Sequence, residues 1–184
     1  MWFTLDGAED TVYFGLMQEP RLNPTSYIVL GLLELAGEST PYDLKQAVGR
    51  TLGNFWSLQH AQLYSEPERL TEAGYLKQRR EEGGRRRRHY SITAKGRSAL
   101  AEWRGSPADR LYELRDLSLL KLFFGAEPSD LADAQLEAHR RKLAEYEELQ
   151  ALDSGEEPRG PWLALEAGIG HERESVRFWE GMLA

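Results

Sequence analysis

The feature that most restricts this chain is a double change of apolar period between Gly74 and Thr93. Up to Gly74 and again after Thr93, apolar residues recur at helical spacing. Between them, Tyr75 to Glu82 and Arg86 to Ile92 read as two extended runs. Gly83-Gly84 separates the runs and supplies the backbone freedom that a tight hairpin turn demands. A hairpin therefore sits between helices.

Four helices are expected around that hairpin. Asn23-Pro24-Thr25 is a helix start, a cap-type residue followed by proline at the first helical position. Ile28, Leu32 and Leu35, with Val29 and Leu33 beside them, predict a buried helix ending near Gly37. Thr40-Pro41 with Asp43 starts a second helix, whose apolar face is Leu44, Ala47 and Val48 and whose end is Gly49 or Gly53. Ser57 is the expected cap of a third helix running to about Ala73, with Leu63 and Leu70 on one face and Gly74 closing it. Pro67 falls inside that span, which predicts a kink or a later start capped by Ser65. Thr93 caps a fourth helix, Ala94 to about Trp103, and Gly105-Ser106-Pro107 reads as a hinge.

Beyond the hinge the pattern is helical throughout. Leucines at 111, 114, 117 and 120 predict a helix over Asp109–Phe124, and Leu136, Leu143, Tyr146 and Leu149 one over Glu127–Leu152. Trp162, Leu165, Ile169, Val176, Trp179 and Leu183 lie on one seam of a last helix. Such a seam is ordinarily intramolecular core, but these helices have no sheet to cover, and packing against a second copy of the chain is the favoured expectation. The fold class is mainly α with a small β-hairpin. It divides into an arm or tail at 1–22, a winged helix-turn-helix at 23–104 and an α-helical dimerisation region at 109–184, which could also hold an effector.

Composition narrows the chemistry. The chain has 184 residues and no cysteine, which removes disulfides, thiolate nucleophiles and cysteine-bearing zinc sites. Its longest apolar stretch, Tyr27–Leu35, includes Glu34 and is too short to span a bilayer, and no basic residue precedes Arg21. A cytoplasmic protein without membrane partners is expected. The net charge of −7 hides a strong asymmetry: residues 77–108 carry ten Lys/Arg against three Asp/Glu, and residues 109–184 carry nine against seventeen.

The order of three helices, hairpin and fourth helix is that of a winged helix. In that geometry the third helix enters the DNA major groove, about 12 Å wide, and the hairpin reaches the flanking backbone. The basic island falls on this hairpin, with Lys77, Arg79 and Arg80 on one run and Arg85, Arg86, Arg87, Arg88 and His89 on the other. Guanidinium forks at a glycine tip suit phosphate oxygens, whereas a solvated charged face is the plainer explanation. The DNA reading requires that these groups not fold back onto carboxylates of their own chain. Gln59, His60 and Gln62 are the candidates for base reading, with Ser57 and Ser65 as phosphate or base partners. Arg69 is expected to pair with Glu66 or Glu72 instead.

These stretches resemble the PadR-type transcriptional regulators. The likeness lies in Gly84 to Arg97 at the wing, in Tyr27 to Gly37, in Tyr42-Asp43-Leu44, and in Phe55-Trp56 leading to Leu63-Tyr64 and Leu70 to Gly74. It covers residues 24–104 well, and the C-terminal part only in its leucine-rich, acidic, helical character. The resemblance implies a homodimeric repressor, less often an activator, bound to a palindromic operator in duplex DNA. It also implies a C-terminal dimer interface with a small ligand in or near it. Carried over by position, Tyr42 and Tyr64 touch phosphates, as do the wing arginines. Lys45, on the helix of Tyr42, joins the set. One departure affects the tilt of the third helix: Ser65-Glu66-Pro67 follows Tyr64, where the family has proline directly after the tyrosine and leucine two residues later.

Other classes fit less well. The histidines, at 60, 89, 139 and 171, stand in no metal-ligand spacing, and no nucleophile elbow or phosphate loop is present. His171, Glu172 and Glu174 read as a solvated helix face. No enzyme and no cofactor are expected. A non-catalytic interaction module, whose basic wing binds RNA or an acidic partner, is the competing class. Trp103, Trp162 and Trp179 are candidates for stacking a flat aromatic effector, set against ordinary core packing.

Overall fold

The computed structural model describes residues 21–83, 86–109, 111 and 113–183. The chain forms two compact units. One comprises residues 21–50 and 58–106, and the other 51–57 and 107–183. Residues 1–20, where the N-terminal arm or tail was expected, lie outside the described residues.

The first unit holds α1 (Pro24–Ala36), α2 (Pro41–Arg50), α3 (Gln62–Glu72), β1 (Leu76–Arg80), β2 (Arg88–Ile92) and α4 (Ala94–Gly105). Short-range hydrogen bonds begin three of its helices. The Asn23 carboxamide accepts from Ser26 N at 3.0 Å, and Ser26 Oγ accepts from Asn23 N at 2.9 Å, a reciprocal box at the start of α1. Thr40 and Asp43 repeat the arrangement for α2, the Thr40 amide donating to Asp43 Oδ2 at 2.9 Å and the Asp43 amide to Thr40 Oγ1 at 3.3 Å. Thr93 Oγ1 accepts from Gly96 N at 3.1 Å at the start of α4.

The buried face of α1 runs through Ser26, Val29, Leu30 and Leu33, and Leu35 is exposed rather than in the core. The third helix also departs from expectation. It starts at Gln62, not at Ser57, and Ala61 precedes it with no side-chain cap. Tight turns lead in, with Gln62 N bonded to Gln59 O and Leu63 N to His60 O. The late start leaves little helix ahead of Pro67, which sits buried inside α3 at the cost of one backbone bond. Ser65 is no cap; its hydroxyl lies within the helix, 3.4 Å from Ala61 O.

The two strands pair antiparallel, with Leu76 opposite Ile92 and Arg80 opposite Arg88. Ser39 exchanges both backbone bonds with Tyr90, at 3.0 and 2.9 Å, and so ties the α1–α2 connection to the hairpin. Gly96 is needed where α4 crosses beneath: a Cβ there would meet Tyr75 O at 2.4 Å and Ile92 Cγ1 at 2.8 Å.

The second unit holds a 3-10 turn (Leu52–Asn54), α5 (Leu117–Phe123), α6 (Pro128–Gln150) and α7 (Gly160–Gly181). The helix expected over Asp109–Phe124 is only α5, because Asp116 caps it, accepting from Ser118 N at 2.7 Å and Leu119 N at 3.2 Å. The described residues before Asp116 are irregular. Helices α6 and α7 pack antiparallel, with Ala132 and Leu136 against Trp179 and with Gly168 admitting the Tyr146 ring. Of the expected seam on α7, Ile169 and Trp179 are buried, Val176 packs against the cluster that holds Trp179, and Leu183 is exposed. No helix among the described residues is long and apolar enough to cross a membrane.

Candidate nucleic-acid interface

On the first unit, the start of α2, the outer face of α3 and strand β2 enclose an open cleft of about 610 Å³. Tyr42 comes from α2, Tyr64 and Glu68 from α3, and Arg87, Arg88 and Tyr90 from the hairpin. The two tyrosines are exposed and line the cleft together with Arg87 and Arg88. Gln46 Nε2 donates to the Tyr42 hydroxyl at 3.1 Å.

Helix α3 separates its residues cleanly. Leu63, Glu66, Pro67 and Leu70 face inward, while Gln62, Tyr64, Ser65 and Glu68 are exposed. Gln62 is the first residue of the helix. Gln59 and His60 lie on its irregular approach and not on the helix itself, because the helix begins after them. Ser57 belongs to the other unit, and Lys45 is half-buried on α2.

The wing is less purely cationic than its sequence. Arg88 is ion-paired with Glu68 of α3, contrary to the expectation that all four arginines avoid carboxylates of their own chain. Arg79 is paired with Glu38, its Nε lying 3.1 Å from Oε1. His89 Nε2 is 2.9 Å from Glu81 Oε1, and its Nδ1 is 3.9 Å from Glu38. Hydrogen bonding from Arg79 holds the Glu38 carboxyl below the usual carboxylate range, and the His89 hydrogen bond does the same for Glu81. Arg86 and Arg87, by contrast, have no ion pair with any described residue. Arg86 takes the left-handed backbone, φ 48°, that glycine adopts without strain. Arg85 and Gly84 lie outside the described residues. The acidic members Glu38, Glu68 and Glu81 were missed in the sequence. For Glu68 a signal existed, since it lies four residues after Tyr64 and shares its helical face.

The remaining candidates are dispersed. Trp103 stacks on Tyr27 in the first unit, with ring centroids 4.6 Å apart and planes 8° from parallel. Trp162 is half-buried and Trp179 is a buried core residue, both in the second unit. Arg69 pairs with Glu66, one of its two expected partners. Glu172 lies 2.6 Å from His139, and Glu174 2.5 Å from Arg177, so each has a protein partner.

A helix with an exposed polar face, a tyrosine-lined cleft and a basic hairpin together define a winged-helix DNA-binding protein. The profile of the Transcriptional regulator PadR-like family matches residues 29–102, and that of Virulence activator alpha C-term matches residues 114–184. Over 175 residues the chain is 31% identical to the Negative transcriptional regulator PadR of Bacillus subtilis, covering 86% of this chain and 94% of that one. The crystal structure of Bacillus subtilis PadR in complex with operator DNA is similar at TM-score 0.76 and 28% identity, over 89% of this chain and 97% of that chain. The same regulator in complex with p-coumaric acid is similar at TM-score 0.70 and 25% identity, with the same coverage. This chain belongs to the PadR-like family of DNA-binding transcriptional regulators.

Proposed function

We propose that the chain is a cytoplasmic, non-catalytic homodimeric repressor that binds a palindromic operator and releases it in response to a small aromatic ligand. The observation that carries the DNA reading is the exposed face of α3 beside the tyrosine-lined cleft, with Arg86 and Arg87 unpaired among the described residues. Residues 23–104 are the DNA-binding part. Gln62 reads bases from α3, Gln59 and His60 assist from the turn ahead of it, and Ser65 is a phosphate or base partner. Tyr42, Lys45, Tyr64 and the wing residues Arg85, Arg86 and Arg87 hold phosphates, and Arg88 and His89 join them on leaving Glu68 and Glu81. The operator-bound relative supports this assignment.

Residues 109–184 are the dimerisation part. Leu111, Phe123 and Phe124 are largely exposed, and such apolar surface favours a second copy. The p-coumaric acid complex of a relative supports an aromatic effector; of the three tryptophans expected to stack it, Trp179 is instead a core residue and Trp103 already stacks on Tyr27, which leaves Trp162.

Titration of a duplex selected by the protein from random DNA, against a scrambled duplex and at several salt concentrations, tests the proposal. A preference that survives salt is expected, with a steep loss of affinity as salt rises. Arg86→Ala with Arg87→Ala should weaken binding to both duplexes alike and reduce the salt slope by about two. Gln62→Ala should change preference at one base-pair position. Absence of preference at every salt concentration would favour the competing module that binds RNA or an acidic partner. Tryptophan fluorescence titrated with p-coumaric acid tests the effector, and a flat response removes it.

A further inference from the structure

Three polar side chains inside the first unit take no part in the proposed DNA contacts. Ser26 of α1 is fully buried, Glu66 of α3 is 7% exposed, and Arg69 of α3 is partly exposed. Ser26 Oγ donates to Glu66 Oε1 at 2.6 Å. Arg69 Nε donates to Glu66 Oε2 at 3.0 Å, and its Nη2 donates to Oε1 at 2.5 Å. The same Nη2 reaches Ser26 Oγ at 2.9 Å, and that oxygen also accepts from the Asn23 amide at 2.9 Å. The Ser26 hydroxyl thus uses its one donor and both acceptor positions. The beginning of α1 is strapped to the middle of α3.

Glu66 occupies the inward stripe of α3, between Leu63 and Leu70, where an apolar residue would be ordinary. Apolar contacts tolerate a small roll of the helix, whereas directional bonds to a buried carboxylate do not. Successive helical residues are about 100° apart, so a roll by one residue would break both bonds that cross to α1, Ser26 Oγ to Glu66 and Arg69 Nη2 to Ser26 Oγ, while the Glu66–Arg69 pair would move with the helix. It would also carry Gln62 and Ser65 away from the outer face. We propose that Glu66, held by Ser26 and Arg69, is a positioning residue that sets the roll of the reading helix and thereby the choice of DNA sequence. This rests on the reading, proposed above, that α3 reads bases.

The test uses the full chain carrying Glu66→Gln, Ser26→Ala, or both, with the wild-type-selected duplex and its scrambled counterpart. Glu66→Gln should keep the wild-type circular dichroism and affinity for scrambled DNA while losing about tenfold of the preference, on the order of one mismatched base pair. The double variant should lose little more than the worse single variant, since both substitutions cut one strap. A role in folding alone would lower affinity for both duplexes together and leave their ratio unchanged, which overturns the proposal. So would wild-type preference in folded single variants, or losses that simply add. If Glu66→Gln does not fold, Ser26→Ala, which removes a single hydroxyl, decides on the same ratio. A wild-type protein without preference would refute base reading itself; preference retained by the variants would refute only the strap.

Discussion

In the unit made of residues 21–50 and 58–106, helices and a hairpin close around Val29, Leu30, Leu33, Leu63, Leu70 and Tyr90, each at most 1% exposed. The unit made of 51–57 and 107–183 closes little more than Ala132, Leu136, Tyr146, Ile169 and Trp179. There Leu111 is 94% exposed, Phe123 82% and Phe124 78%. Several elements meeting from different sides can bury a stripe of each. Two antiparallel helices bury only the stripes that face one another. The first unit buries its apolar stripes within its own chain, while the second leaves large apolar side chains exposed.

Removing the centre of the weaker unit has the largest expected effect. Trp179→Ala should cost about 3–5 kcal/mol, because a large aromatic leaves a cavity between α6 and α7. Two transitions are expected on heating, with only that of the second unit shifted; a uniform shift would break the comparison. Gly96→Ala is the counterpart in the first unit. Its Cβ would meet a backbone oxygen that cannot swing aside, and a loss of about 3 kcal/mol is expected by chemical denaturation. A loss below about 0.5 kcal/mol would show that this core yields more than its close approach implies.

Acid should sharpen the contrast by a smaller amount. Burial raises the Glu66 pKa, but hydrogen bonds from Arg69 and Ser26 and the Arg69 charge outweigh it, and the net shift is downward. A carboxylate with a lowered folded-state pKa stabilises above its unfolded value, and that stability is lost as pH falls through the folded value. The first unit should therefore weaken below about pH 4.3, the ordinary glutamate range, even in high salt. Glu66→Gln should flatten this part of the pH profile. Of the carboxylates with lowered pKa in the second unit, Glu145 and Glu174 are solvent-facing and should lose their effect to salt screening, and the half-buried Asp153 should lose less. The smallest effect on stability is expected at Phe123→Ser with Phe124→Ser, within about 0.5 kcal/mol for one chain. Sedimentation velocity should nevertheless show fewer dimers; an unchanged distribution would remove α5 from the interface.

Much of the first unit was legible in the sequence because its signals are local. The caps at Asn23, Thr40 and Thr93 act on amides within three residues, so cap-type residues at those places carried their own meaning. The hairpin followed from period and from the glycine pair. The start of α3 was not legible, since Ser57 resembles a cap as well as any serine does, and lead-in turns replace it. The leucines of 111–120 looked helical throughout, but the Asp116 carboxylate diverts the amides of Ser118 and Leu119 and begins the helix there. Of the residues that line the cleft, Tyr42, Tyr64, Arg87 and Arg88 were among the sequence candidates for DNA contact, while Glu68 was not.

The order of elements, the caps of α1, α2 and α4 and the placement of cationic charge on a hairpin in an acidic chain were thus properties of the amino-acid sequence alone. Short stretches specify them through bonds to near neighbours. Tertiary packing alone decided that Glu68 meets Arg88, that Arg86 and Arg87 form no ion pair with a described residue, and that Ser26 meets Glu66 from 40 residues away. Such pairings depend on how helices roll against one another, a choice made by the whole core and by no local segment of the chain.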